Sequence, residues 1–149
     1  DIKVRAELNE PLKAMYAAAK KDGIALFVAS GYRSSSDQQA IYNETTSGYA
    51  AIPGQSEHQT GLAVDINSGS TNCGASCALS PVAATWLARH AADYGFIVRY
   101  QADKVAETGY TAESWHLRYV GVPLAQALAR TNTSFDAAYP LFKTAKARQ

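Results

Sequence analysis

Apolar residues change their spacing several times along the chain, and each change predicts an element. Leu8, Leu12, Met15, Tyr16 and Ala19 recur at helical spacing, and Pro11 fits only a first turn. Gly23 after Lys20 and Lys21 is a stop signal, so a first helix should end near Asp22. Ile24 to Ser30 is short and apolar, as a largely buried strand would be, and Gly31-Tyr32-Arg33 leaves its end. Ser36 followed by Gln39 reads as a capping box for a second helix, with Gln38 in the first turn and Ile41 and Tyr42 on one face. Residues 47 to 61 are rich in Gly, Ser and Pro and predict an irregular connection into a strand from Leu62 to Asn67. Within that strand Leu62, Val64 and Ile66 share one face, so Asp65 points the other way.

Ser80 and Pro81 predict the N-cap and first residue of another helix, with Val82, Trp86, Leu87 and Tyr94 as its stripe and Gly95 as its end. Phe96 to Tyr100 reads as a strand. In a last strand Trp115, Leu117 and Tyr119 alternate with His116 and Arg118, and Glu113 is expected in the turn that enters it. Short helices after Pro123 and after Ser134 complete the pattern.

Composition narrows this picture. At 149 residues the chain, 1–149, suits a single domain, and 47% apolar against 18% charged residues can build an ordinary core. A formal net charge of +1 gives no electrostatic footprint for nucleic acid or an acidic membrane surface, so no nucleic-acid partner is expected. No run is long enough to cross a bilayer, and no basic segment followed by an apolar one opens the chain; an export signal or anchor would have to lie outside these residues. A monomer is expected. Cys73 and Cys77 lie in a Gly- and Ser-rich loop, where a disulfide would restrict the unfolded chain by about 2 kcal/mol. That disulfide implies an oxidising, extracytoplasmic compartment. The rival reading of the pair, half a zinc site, lacks a second Cys pair.

Candidate chemistry centres on two of the three histidines. His90 follows Arg89 near a helix C-terminus, where a surface imidazole is unremarkable. His58 and His116, with Asp65, would instead supply the three ligands of a catalytic zinc that keeps one position open for water. Such an ion polarises a scissile carbonyl and acidifies its water, and a nearby unliganded carboxylate must accept the water's proton. Glu113, three residues before His116, suits that task. Arg33, at the mouth of an apolar strand, is placed to steady an oxyanion, and it could equally be a surface arginine. Taken singly, a loop His, a strand Asp and a strand His can each be satisfied by structural hydrogen bonds alone.

Together these residues resemble a known family. Ser56-x-His58-x-x-Gly61-x-Ala63-x-Asp65 with Glu113-x-Trp115-His116 is similar to the paired signature of VanY-like D-alanyl-D-alanine carboxypeptidases, in the LAS group of zinc peptidases that includes lysostaphin and the hedgehog domain. The likeness extends through Ser30-Gly31-Tyr32-Arg33-Ser34, Gln38, Pro53-Gly54 and Leu117-Arg118-Tyr119-Val120-Gly121, covering roughly residues 24 to 121. It implies zinc on His58, Asp65 and His116, with Glu113 as catalytic base and Arg33 on the carbonyl oxygen or oxyanion. It further implies that Ser56 and Gln38 hold the terminal D-residue of a peptidoglycan stem peptide. The implied fold is α+β, with helices packed on a small, mainly antiparallel sheet. Gln55, Ser35 and Ser114 stand where relatives often carry other residues; no ligand is lost, but the choice between a D-Ala-D-Ala end and an L-linked D-Ala end stays open.

Rival readings remain at this level: a D,D-dipeptidase or an endopeptidase of the same fold, a catalytically silent zinc scaffold that binds peptidoglycan, and an iron-binding facial triad. The last expects a tight His-x-Asp pair, which the chain lacks.

Overall fold

Four strands, β1 Leu26–Ser30, β2 Ala63–Ser68, β3 Phe96–Tyr100 and β4 Glu113–Tyr119, form one sheet in the order β1-β2-β4-β3 with every neighbouring pair antiparallel. The computed structural model describes residues 2–45, 50–69 and 79–146, without the side chains at 143, 145 and 146. Cys73 and Cys77, and with them the expected disulfide, lie outside the described residues.

The alternation read from the sequence decides which face is dry. Val64 and Ile66 of β2, Leu117 of β4 and Phe96 of β3 are fully buried against Leu8, Met15, Ala19 and Leu87. Those partners come from α1 (Asn9–Lys21), the 3-10 turn that precedes it and α3 (Pro81–His90). Each such side chain contributes about 1.5–3 kcal/mol by leaving water. The register between β2 and β4 pairs Val64 with Leu117 and Asp65 with His116. Opposed residues share a face, so one pair closes the core and the next pair projects from the other side.

On that second face, among the described residues, apolar helix packing gathers at one end. Ile97 pairs with Arg118 and therefore shares the face of His116. It packs with Ala125, Leu128 and Ala138, which seats α5 (Val122–Thr131) and α6 (Phe135–Lys146) on this side of the sheet. At the other end the face is lined by α2 (Ser35–Glu44) and the connection that enters β2.

Most expected elements are present, with local shifts. The capping box of α2 sits two residues earlier than expected: Ser34 accepts from Asp37 N at 3.2 Å, and Asp37 Oδ2 accepts from Ser34 N at 3.1 Å. A carboxylate at this position also complements the helix dipole, which Gln39 could not. The buried stripe of α3 is Ala83, Trp86 and Leu87; Val82 is 69% exposed. Glu113 is the first residue of β4, opposite Tyr100, where a register shift between Val98 and Tyr100 bends the ladder. A short helix, α4 (Val105–Thr108), precedes β4 and was not legible in the pattern. Among the described residues no helix is long and apolar enough to cross a membrane.

Candidate metal centre and cleft

His58 is held in a 3-10 turn, Glu57–Thr60, that ends at Gly61 with φ 71°, a left-handed backbone that glycine adopts without strain. The ring is 3% exposed, and its Nδ1 stands 2.7 Å from the carbonyl oxygen of Gly31. A carbonyl only accepts, so Nδ1 carries the hydrogen and Nε2 keeps its lone pair. Residue 31 has no room for a side chain, because a Cβ there would run into Lys3 O and Ile2.

The His58 Nε2 lone pair faces Asp65 Oδ2 at 3.3 Å, and His116 Nδ1 faces Asp65 Oδ1 at 3.2 Å. The donor atoms of His58, Asp65 and His116 all lie within 4.8 Å of one another. Ligands about 2.0–2.2 Å from a tetrahedral ion stand roughly 3.3 Å apart, close to the spacing of each imidazole nitrogen from its nearer Asp65 oxygen. The fit is supported by a shortage of hydrogen bonds: Asp65 Oδ1 is buried and has no hydrogen-bond partner, although burial normally demands one. Two imidazole nitrogens and a carboxylate oxygen are a borderline donor set suited to zinc.

The charges are mutually dependent. Burial alone would raise the Asp65 carboxyl, yet the imidazoles of His116 and His58 beside it hold it well below the usual carboxylate range. Burial would lower His116, but Asp65 on one side and Glu57 on the other push it up to about 9. Without an ion, a proton on His116 supplies the positive charge that two carboxylates require.

Glu113 stands beside this cluster and outside it, with Oε2 at 3.7 Å from His116 Nδ1. Burial raises its pKa, the negative Asp65 adds to the rise, and His116 and Arg33 partly oppose it. Arg33 donates from Nη2 to Asp65 Oδ2 at 2.8 Å, from Nε to Ser30 Oγ at 3.1 Å and from Nη1 to Gln38 Oε1 at 3.4 Å. Gln38 is 1% exposed, and its Nε2 donates to Ala51 O at 2.8 Å. Its amide therefore ties Arg33 to the wall of the cleft. Ser56, also buried, lines the same cleft of about 250 Å³, with Thr45, Ala51, Tyr110 and Trp115. Tyr100 packs its ring 5.0 Å from that of His116, and Tyr110 stacks on Tyr100 at 4.7 Å.

The structure thus gathers His58, Asp65, His116, Glu113, Arg33, Gln38 and Ser56 around one cleft. His90 lies apart, against Trp86. Sequence reasoning passed over Glu57, which sits behind His116 with Oε2 at 3.5 Å from its Nε2. A signal was present: Arg99 lies in a strand whose other residues are all apolar or aromatic, and a buried guanidinium needs a carboxylate.

Comparison with known proteins adds to this geometry. The family model described as "VanY: D-alanyl-D-alanine carboxypeptidase" matches residues 1–122. YodJ of Bacillus subtilis (strain 168), a carboxypeptidase candidate by name, is 39% identical over 142 residues, covering 89% of this chain and 52% of YodJ. The chain spans about half the length of the curated relatives it matches. A mutant of the vancomycin resistance D,D-pentapeptidase VanY, solved with Zn(II), superposes with a TM-score of 0.78 at 34% identity, covering 88% of this chain and 80% of that one. The LD-carboxypeptidase LdcB superposes with a TM-score of 0.81 at 37% identity, covering 92% of this chain and 68% of that one.

Proposed function

Because the chain belongs to the VanY family of D-alanyl-D-alanine carboxypeptidases, we propose that it is a zinc carboxypeptidase that removes the C-terminal D-alanine from peptidoglycan stem peptides. The observation that carries this reading is the meeting of His58 Nε2, His116 Nδ1 and an Asp65 oxygen at one buried point, next to the carboxylate of Glu113. Zinc is the ion in the similar VanY structure, and the donor set here suits it. When bound, the ion supplies Lewis acidity to the scissile carbonyl and lowers the pKa of water.

His58, Asp65 and His116 would hold the ion, and the Gly31 carbonyl fixes the tautomer of His58. Glu113 takes the proton of the attacking water on its carboxylate and returns it to the leaving amine. Its raised pKa suits the first half of that exchange, since the conjugate base of a stronger acid would take the proton from water less readily. Arg33 spends three of its five N–H groups on Ser30, Gln38 and Asp65, which anchors the guanidinium over the site. The remaining two can meet the carbonyl oxygen as negative charge develops there. Ser56 and Gln38 border the space for the terminal D-residue; Gln38 donates one Nε2 hydrogen to Ala51 O and accepts from Arg33 at Oε1, which leaves its second Nε2 hydrogen for substrate. The stem peptides of mature peptidoglycan lie in the cell wall, and the proposed activity is accordingly extracytoplasmic.

The metal-restored protein should be incubated separately with free D-Ala-D-Ala, a tetrapeptide stem and a pentapeptide stem, with the products identified by mass. Release of D-alanine from either stem, with the dipeptide left intact, is the expected result. Cleavage of the dipeptide alone would establish the dipeptidase reading, and an internal cut the endopeptidase reading. Binding of stems without turnover would leave a binding module. The D,D-pentapeptidase and LD-carboxypeptidase activities named for the two similar structures make the pentapeptide and tetrapeptide the informative pair.

A further inference from the structure

Behind the ligands, on the same face of the sheet, lies a second ionic cluster that the proposed chemistry does not use. Glu57 Oε1 accepts from Arg99 Nε at 2.9 Å and stands 3.3 Å from Arg118 Nη1. Arg99 turns its other two nitrogens to the carboxylate of Asp136, with Nη2 donating to Oδ1 at 3.1 Å. The ring of Phe135 lies under both guanidiniums, 5.5 Å from Arg99 Cζ and 5.7 Å from Arg118 Cζ. Phe135 and Asp136 are the first two residues of α6, beyond the residues 1–122 that the family model matches.

The free end of this cluster faces the metal centre. Glu57 Oε2 and His116 Nε2 are both buried and neither has a hydrogen-bond partner, yet they face one another at 3.5 Å. His116 turns its other nitrogen, Nδ1, to the ligand cluster. A carboxylate on the far nitrogen of a ligating imidazole fixes its tautomer and ring angle and makes it a better donor. Glu57 can do so only while its own position is fixed. Its other oxygen is shared between two arginines, and one of those is held by α6.

We infer that Glu57 is a positioning residue for His116, and that the start of α6 acts on the metal centre through Asp136, Phe135, Arg99 and Glu57. The inference rests on the metal-centre reading given under the proposed function. It gives α6 a part in metal binding through Asp136 and Phe135, which reach His116 by way of Arg99 and Glu57.

The test compares the unaltered chain with Glu57→Gln, Asp136→Asn and Phe135→Leu. For each, the zinc dissociation constant, the visible absorption of the Co(II)-substituted protein and the separate kcat and KM values are measured. Glu57→Gln should weaken zinc about 10- to 100-fold and shift the Co(II) bands, with KM unchanged. Asp136→Asn and Phe135→Leu should move the same readouts in the same direction by less, about threefold to tenfold. Zinc affinity and Co(II) spectra that match the unaltered chain in all three variants overturn the inference, even if melting temperatures fall. If Glu57→Gln does not fold, the two α6 variants decide by the same criterion. If the unaltered chain binds neither ion, the proposed function fails. The inference is then judged on the metal-free His116 ring ¹⁵N shifts, which must differ between the unaltered chain and both Glu57→Gln and Asp136→Asn.

Discussion

Two clusters of charge occupy one face of the sheet, and they solve the burial of charge in opposite ways. Around Arg99 the ionic groups largely satisfy one another: Glu57 and Asp136 neutralise it, and its three nitrogens all have carboxylate partners. Around Asp65 they do not, for an oxygen without a hydrogen bond and two imidazole nitrogens converge on a common point. Buried polar atoms left without partners cost about 1–3 kcal/mol each, so a fold keeps them only where something else completes them. The contrast separates a cluster that supports from a cluster that receives.

Replacing a receiving residue should have the largest consequence. His58→Ala is expected to abolish stoichiometric zinc binding and reduce stem-peptide hydrolysis to background, checked by metal analysis of the purified protein and product assay. The fold should persist, because the His58 ring packs in the cleft and outside the apolar core. Next comes Glu113→Gln, which keeps the shape and removes the base: kcat should fall about 10³-fold while zinc content stays at one per chain. Equal loss of zinc in this variant would move Glu113 into the ligand set.

The supporting cluster should answer with stability. Arg99→Met leaves the largely buried Glu57 beside an apolar side chain with Arg118 as its remaining guanidinium, and should cost about 3 kcal/mol in denaturant unfolding. A smaller, pH-dependent effect follows from Glu57. Burial alone would raise its carboxyl, but His116, Arg99 and Arg118 hold it down at about 2, against 4.5 in an unfolded chain. Because the folded value is the lower, its stabilisation is complete above about 4.5 and is lost as the pH falls towards 2. Unfolding free energies of the metal-free protein across that window should fall, and the fall should flatten in Glu57→Gln.

The receiving cluster has its own smallest signature. With His116 pushed up to about 9, zinc at neutral pH must displace a proton from it, so binding should release about one proton and tighten as the pH rises towards 9. Calorimetry in buffers of different ionisation enthalpy measures this directly.

Much of the receiving cluster was legible in the chain and much of the supporting one was not, for a physical reason. The period of two in Leu62 to Asn67 turns Asp65 away from the core, and the same period turns His116 away from Leu117, so both candidate ligands could be assigned a face without coordinates. Glu57 gave no such cue, since it lies in a 3-10 turn and its partners come from β3, β4 and α6. Local chemistry also misplaced the cap of α2, because three consecutive serines offer the same side chain and only the reciprocal bond from Asp37 chooses Ser34. Glu113 was expected in a turn because its strand begins at a bend in the ladder, which alternation cannot register.

The pairing of β2 with β4 carries one more implication. A slip of one residue between these two strands would separate Asp65 from His116 and set one of them opposite an aliphatic side chain. Molecules that fold with those strands out of step would be both loosely packed and unable to take up the ion. Metal uptake by a refolding sample should therefore count correctly aligned chains one by one, and partial recovery should appear as fewer competent molecules rather than as a uniformly weakened population.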